Sequence, residues 1–272
     1  MQLRIALMSN AGGAAKSTMV THLGYLLSDK YTVGLLDLDP QGSLSLFTGL
    51  SRPGEKSIAK VLGEKFTGDW NLNPAWTEQV SIGRVSVCQS DTSLVRTISE
   101  LVLEERGAYA LSDRLADFPL PQDILLFDCP ATLGPLSLTA LSASTHILIP
   151  CPLEPKSVKG IAELLTWVFA TSRKLRLQPT PKILGIVPTQ YDKRVAIHRR
   201  LKTALAPIAE KLEIPYFPPI RYSTEFKNAS EVGIPIHLYR PNCEATKDFE
   251  PIVMSICEEY EKAHRTRNHS LG

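Results

Sequence analysis

Little in this chain points to a secreted, membrane-bound or metal-clustered protein. Its 272 residues include five cysteines, Cys88, Cys129, Cys151, Cys243 and Cys257. None stands in a C-x-x-C pair or at zinc-ligand spacing. An odd number of scattered thiols fits a reducing compartment, and Cys129 and Cys151 read as small buried apolar residues. No apolar run reaches the ~18–20 residues that cross a bilayer. The first one, Ile5–Met8, stops at Ser9-Asn10, too short for a signal-peptide core, so a cytoplasmic location is expected. Internal repeats and low-complexity tracts are missing too. What remains, 43% hydrophobic and 21% charged residues, is the composition of a folded globular chain. The length suits one large α/β domain.

Charge is present but unevenly spread. Net charge is +2, yet residues 173–247 hold 14 lysines and arginines against 6 acids, a balance of +8. The rest carries 16 against 22. A basic segment in an otherwise acidic chain suggests a polyanionic partner.

Strand-length apolar runs recur at Leu3–Met8, Val33–Leu36, Val85–Cys88, Ile124–Phe127, His146–Ile149 and Ile183–Val187. They alternate little, as strands buried on both faces do. Helical-length segments fall between most of them, at 17–29, 92–116, 134–144, 157–176 and 193–212. The expected architecture is therefore a single α/β domain, 1–262, with a mainly parallel twisted sheet and helices on both faces. Residues 50–80, with Pro53-Gly54, Gly63, Gly68 and Pro74, read as an irregular surface excursion, and 263–272 as a polar, frayed C-terminal tail. Ligands of open parallel sheets bind at the carboxyl ends of the strands. Four motifs converge there, at 9–18, 37–42, 128–134 and 150–160.

The first motif is a phosphate loop. Leu3–Met8 leads into Ser9-Asn10-Ala11-Gly12-Gly13-Ala14-Ala15-Lys16-Ser17-Thr18 and then an amphipathic helix. Backbone N–H groups converging at a helix N-terminus attract anions, and Gly12 and Gly13 permit close approach. Lys16 is placed to bridge β- and γ-phosphates and Ser17 to ligate Mg²⁺, with residues 11–18 forming the nucleotide cradle. The general pattern G-x-x-x-x-G-K-[ST] is not satisfied, since Asn10 and Ala15 hold its glycine positions. A dinucleotide-binding loop is the rival, with Asp37 after the second strand, but G-x-G-x-x-G is not spelled. The second motif, Asp37-Leu38-Asp39-Pro40-Gln41-Gly42, sets two acids on one side of a strand end, where they can orient a water and a metal shell. The third, Phe127-Asp128-Cys129-Pro130, puts Asp128 at a sheet edge in the arrangement that contacts a magnesium shell.

Together these motifs resemble the ParA/MinD deviant-Walker ATPases of the P-loop NTPase class. Gly185 through Arg194, Pro219-Ile220-Arg221 and Glu225 through Ile236 extend the likeness to about residues 3–250. The resemblance implies MgATP binding, an ATP-bound sandwich homodimer and slow hydrolysis, with Asp39 positioning the water, Asp37 supporting the site and Gln41 and Pro219 near the nucleotide. It also implies non-specific binding of double-stranded nucleoid DNA, with an adaptor protein of the ParB type stimulating hydrolysis. Arg199, Arg200, Lys202, Arg221, Lys227 and Arg240 are then candidate DNA contacts.

The family's loops begin Lys-Gly-Gly, and that lysine crosses the dimer. Here the position is Ala11. A subgroup that positions carboxysomes on the nucleoid, known as McdA and reset by an McdB adaptor, also lacks it and uses a lysine from the second half of the fold. By that resemblance Lys156 is the substitute, with Lys159 second choice. The expectation is a cytoplasmic, nucleoid-associated ATPase that positions or partitions a cargo, a carboxysome being favoured over a plasmid or chromosome. An ATP-clamped DNA-binding dimer with negligible hydrolysis, an iron–sulfur reductase component using Cys129, and a membrane-bound cell-division relative stand as alternatives. The last lacks a basic membrane-binding helix at Glu258–Lys262.

Overall fold

Each predicted apolar run becomes a strand. A computed structural model describes residues 2–270 except 52, 54–56, 64, 82 and 83, with side chains up to 265. Its strands are β1 Leu3–Leu7, β2 Val33–Asp37, β3 Asn73–Pro74, β4 Val85–Cys88, β5 Ile124–Asp128, β6 His146–Pro152 and β7 Lys182–Thr189. They form one sheet in the order β3-β4-β2-β5-β1-β6-β7. Only the short β3 runs antiparallel, against β4. β5 is the central strand, and β1 lies beside it, paired in parallel with β5 and β6.

The helices are α1 Lys16–Leu27, α2 Ser43–Phe47, α3 Ile58–Leu62, α4 Leu94–Leu103, α5 Ala110–Asp117, α6 Pro135–Ala143, α7 Pro155–Lys174, α8 Ala196–Lys211, α9 Glu225–Val232, α10 Ile236–Tyr239 and α11 Glu250–Ser270. They cover both faces of the sheet. Ala6, Leu36, Leu125, Phe127 and Ile147 point to one side, against Leu111 of α5, Leu136 of α6, Leu164 of α7 and Leu205 of α8. Their neighbours Ile5, Leu35, Leu126 and Leu148 point to the other, against Val20 and Leu23 of α1 and Ile252 and Ile256 of α11. Side chains alternate by two along a strand, so apolar residues at successive positions supply two cores at once. Each such side chain contributes ~1.5–3 kcal/mol by burial.

Three expectations change. The helical segment expected at 92–116 is broken, because α4 ends at Leu103 and a short 3₁₀ turn, Gly107–Tyr109, leads into α5. The chain folds back so tightly that a Cβ on Gly107 would lie 1.8 Å from the Leu101 carbonyl oxygen. Only glycine fits there. On α8, Leu205 and Ala209 are buried, whereas Ile208, and Val195 and Leu212 flanking the helix, remain 44%, 36% and 48% exposed. At the C-terminus, α11 continues helically to Ser270 through the segment expected to fray. Its extension carries Lys262 paired with Glu258 and Arg265 with Glu261, both at i,i+4, and a Tyr260–His264 ring contact at 4.3 Å. Of the irregular excursion, Gly54 lies outside the described residues, while Ile58–Leu62 within it forms α3.

The loop after α9 approaches the loop after α2 more closely than any side chain would allow. Gly233 adopts φ 78° and Gly49 φ 67°. A Cβ on Gly233 would lie 2.4 Å from the Gly49 Cα. The indole N–H of Trp76 donates to the Gly233 carbonyl at 3.0 Å and pins the contact. Gly233→Ala combines left-handed strain with a backbone clash, and should cost about 2–4 kcal/mol in denaturant unfolding. An unchanged midpoint would show that the two loops can part freely.

Candidate functional site

The carboxyl ends of β1, β2, β5 and β7 meet around the loop 9–18. Strand β1 delivers the loop, and α1 begins at Lys16 with Ala15 at its N-cap in a left-handed conformation, φ 62°. That is the position where the general phosphate-loop pattern has glycine, so Ala15 holds a conformation that costs an alanine ~1–2 kcal/mol. Gly13 also takes positive φ, 69°. The loop is braced from β7. Gln190 donates its side-chain amide to the Gly13 carbonyl, and Thr189 donates its hydroxyl to the Ala14 carbonyl at 3.4 Å. Lys16 is 7% exposed, while Gly12 and Gly13 face solvent.

Asp37 and Asp128 end the neighbouring strands β2 and β5 in direct register. Both are fully buried. Asp37 is satisfied: Oδ1 accepts the Asp39 N–H at 3.0 Å and Oδ2 the Leu44 N–H at 3.1 Å. It thereby fixes both the Asp39 turn and the start of α2. Asp39 in turn accepts the Gln41 N–H at 3.0 Å. Neither carboxylate oxygen of Asp128 has a hydrogen-bond partner. Burial and the nearby charge of Asp39 push its carboxyl up to about 7, opposed by the Ser17 hydroxyl and Lys16. Burial and the Asp128 charge likewise raise Asp37 well above the usual carboxylate range.

Two orphaned, buried carboxylate oxygens beside a serine hydroxyl and a phosphate loop are what a hard cation requires. Among the described residues no cluster of three or more His, Cys, Asp or Glu could hold a metal alone. The remaining ligands must then come from phosphate and water, as magnesium in nucleotide sites prefers. The residues present fit a magnesium nucleotide.

Two adjoining cavities receive it. One, of about 500 Å³, is lined by residues 12–18 with Asp39, Gln41, Ser43 and Phe47. The other, of about 320 Å³, lies beyond Thr18 and Met19 and is lined by Ile220, Tyr222, Phe226 and Phe249. The first is loop-wrapped and faced by Lys16 and Asp39, the second more enclosed and aromatic, which suits phosphates and a base respectively. Behind the second, His22 accepts the Ile236 N–H at Nε2, 3.0 Å, and its Nδ1 donates to the Thr18 carbonyl at 2.6 Å. Burial holds this imidazole down to about 3, so it stays neutral, and it stacks on Phe249 at 5.0 Å.

Of the nucleotide-site candidates, residues 12–18, Asp39 and Gln41 line the phosphate-side cavity, with Asp37 behind them. Ala11 and Pro219 line neither cavity, and Ile220 and Arg221 occupy the base side. Lys156 is exposed on the first turn of α7. That end of α7 packs by the loop: a Cβ on Gly160 would lie 3.7 Å from the Asn10 Cβ, and Asn10 donates to Glu163 at 3.0 Å. Lys156, at i−4 from Gly160, lies on that side of the helix, whereas Lys159, at i−1, is turned about 100° away from it. Among the basic candidates, Arg199 and Arg200 are exposed on α8, and Lys202 lies 5.3 Å over the Tyr191 ring. Arg221 is clamped bidentately by Asp248 at 2.8 Å, and Arg240 pairs with Glu225 at 3.4 Å. Lys227 lines both cavities. Sequence reasoning did not single out Gln190, Ser43, Phe226 or Ser230 as site residues. Gln190 alone carried a signal, standing one residue past the last apolar strand. The iron–sulfur alternative finds Cys129 fully buried.

Comparison with known proteins supplies the context. A family model described as an AAA domain matches residues 2–179. The chromosome-partitioning ATPase Soj of Thermus thermophilus is 31% identical over 212 residues, 74% of this chain and 75% of its own. The ATP complex of a McdA variant from Cyanothece superposes with TM-score 0.82 at 23% identity, covering 94% of this chain and 96% of that one. A Mycobacterium smegmatis structure described as cobyrinic acid a,c-diamide synthase with bound ADP and magnesium gives 0.71 at 27%, covering 88% and 95%. No helix among the described residues is long and apolar enough to cross a membrane.

The raised Asp128 carboxyl has a measurable consequence. Its folded pKa, about 7, lies above the ordinary 3.8. The cost of its charge is therefore fully present above pH 7 and fades as pH falls through the window toward 4. Nucleotide-free Asp128→Asn should melt several degrees above wild type at about pH 8, with the gap narrowing by about pH 5 and closing near pH 4. Coincident melting curves at the higher pH would refute the orphaned charge.

Proposed function

The chain belongs to the ParA/MinD-type family of AAA domains, and from that premise we propose that it is an ATP-dependent dimerising ATPase that binds nucleoid DNA and positions or partitions a cargo. The observation that carries the nucleotide reading is the pair of unpartnered Asp128 oxygens, buried beside Ser17 behind the cavity that residues 12–18 line. Ser17 and Asp128 would hold the magnesium ion. When bound, that ion supplies charge neutralisation at the phosphate oxygens. The protein does the rest. Backbone N–H groups of residues 12–18 and the α1 N-terminus cradle the phosphates, and Lys16, already desolvated, meets the charge that develops during transfer. Asp39, fixed by its own N–H on Asp37, orients the attacking water.

A sandwich homodimer supplies what the loop lacks. With Ala11 in place of a charged residue, a cation must cross from the partner, and Lys156 at the loop-side end of α7 is the candidate, ahead of Lys159. The basic face of α8, with Arg199, Arg200 and Lys202, is the proposed DNA contact, made through phosphates and so independent of sequence. Arg221, Lys227 and Arg240 were drawn into that set by charge alone. An adaptor of the McdB or ParB kind would stimulate hydrolysis and release the dimer. The likeness in fold to McdA, and the alanine at position 11, favour a carboxysome as cargo, with plasmid or chromosome partition as the alternative.

A second reading has its own observation. Ala15 sits strained where glycine is usual, and Ala11 is uncharged. Both would suit a dimer that holds ATP as a clamp with negligible turnover. Phosphate release separates the two: Asp39→Ala should lower it by about two orders of magnitude, whereas equal, near-zero rates for variant and wild type would leave only the clamp. Lys156→Ala should abolish ATP-dependent dimers in light scattering while the monomer melts as wild type does. Unchanged dimerisation would return the role to Lys159 or another cation.

A further inference from the structure

Lys227 stands apart from the other basic candidates. It lies on α9, not on α8, and its side chain lines the phosphate-side and the base-side cavities alike. Among the described residues the cavities share five, Ala15, Thr18, Gln190, Phe226 and Lys227, so Lys227 lies at their junction. Among the described residues Lys16 is the only other cation lining the phosphate side. Among the described residues no acid pairs with the Lys227 ammonium, although Arg240 and Arg221 nearby in sequence are each committed to a carboxylate.

The helix that carries it is held firmly. Ala229 is fully buried, and Phe226 packs edge-on to both His22 and Phe249 at 5.3 and 6.1 Å. Its far end is fixed by the Gly49–Gly233 contact and the Trp76 hydrogen bond. A lysine on such a helix is a pre-placed charge, so binding a ligand costs little more than ordering its own side chain. Electrostatics ask for one. A nucleoside triphosphate brings about four negative charges at neutral pH, and here it would enter a cavity faced by Asp39 with Asp37 and Asp128 behind. With Ala11 neutral, the loop itself answers with Lys16 alone.

We propose that Lys227 is a nucleotide-binding residue, contributed by α9 of the same subunit, that contacts the phosphate chain where it joins the ribose. This rests on the ATP reading above and assigns Lys227 to the nucleotide rather than to DNA. A contact at that junction acts on the inner phosphates, so it serves ADP as well as ATP and leaves the bare nucleoside indifferent. It differs in this from a cation crossing the dimer, which is needed only when the outer phosphate is present.

Calorimetric titration of the full chain with ATP, ADP and adenosine, each with magnesium, tests it. Lys227→Gln should weaken ATP and ADP about tenfold each, with adenosine unchanged and Lys227→Arg restoring most of the loss. Lys174→Gln, at the far end of α7, controls for net charge and should bind as wild type does. Lys227 is exposed, so the nucleotide-free variants should melt with wild type. Wild-type affinity for ATP and ADP in Lys227→Gln, accompanied by weaker retention on DNA at saturating ATP, would overturn the proposal and make the residue a DNA contact. Loss for ATP alone would also overturn it, since that marks an outer-phosphate role. A wild-type chain that binds no MgATP would sink the ATP reading itself, and the proposal with it.

Discussion

Two aspartates buried side by side at the ends of adjacent parallel strands set the terms for this molecule. Asp37 and Asp128 are in register, fully desolvated and mutually repulsive. A fold does not keep such a pair for stability, because each buried charge lacking a partner costs more than its replacement by an apolar residue. Their treatment is unequal. Asp37 receives two backbone N–H groups and so becomes the anchor of the Asp39 turn and of α2. Asp128 receives none. Asp37 is spent on shaping the strand end while Asp128 keeps its oxygens unpaired beside Ser17, and the proposed magnesium role rests on that inequality.

The rest of the fold is arranged so that this edge stays rigid. The sheet is packed on both faces by side chains alternating from the same strands, which fixes the strand ends to within the tolerance of a close-packed interior. The loop is then braced from three directions. Gln190 and Thr189 hold its carbonyls from β7, Asn10 reaches Glu163 on α7, and His22 ties the first turn of α1 to the start of α10. His22 can do so only as the neutral tautomer with hydrogen on Nδ1, since Nε2 must accept the Ile236 N–H. Burial depresses its basicity enough to guarantee that form.

Most of the sheet was legible because strands buried on both faces need uninterrupted apolar runs, and each such run here is a strand. The acids at 37, 39 and 128 were legible because they directly follow those runs. What was hidden depends on contacts remote in sequence. Gln190 bonds Gly13 across 177 positions, and Trp76 reaches Gly233 across 157. No local pattern encodes such a pair. The break between α4 and α5 was hidden for another reason: an apolar periodicity continues past Gly107, and only the fold-back onto Leu101 shows why a glycine is there. Charge was the least informative guide. Arg221 and Arg240 look like surface cations in the sequence, yet each is held by a carboxylate in the fold.

The placement of α9 connects these observations. Its two ends touch different parts of the site: Phe226 and Lys227 face the nucleotide cavities, and Gly233 abuts Gly49, which follows the α2 helix that Asp37 anchors. The path from Asp37 to α9 runs through one side-chain hydrogen bond, Asp37 Oδ2 to the Leu44 N–H, and then through α2 and the Gly49–Gly233 backbone contact. At that contact neither glycine can accept a Cβ, so the loop after α2 and the loop after α9 meet backbone to backbone. Helix α9 thus shares a wall with both cavities and a backbone contact with the loop that follows α2. The two glycines at φ 67° and 78° are where that contact is built, since any other residue would hold the loops apart.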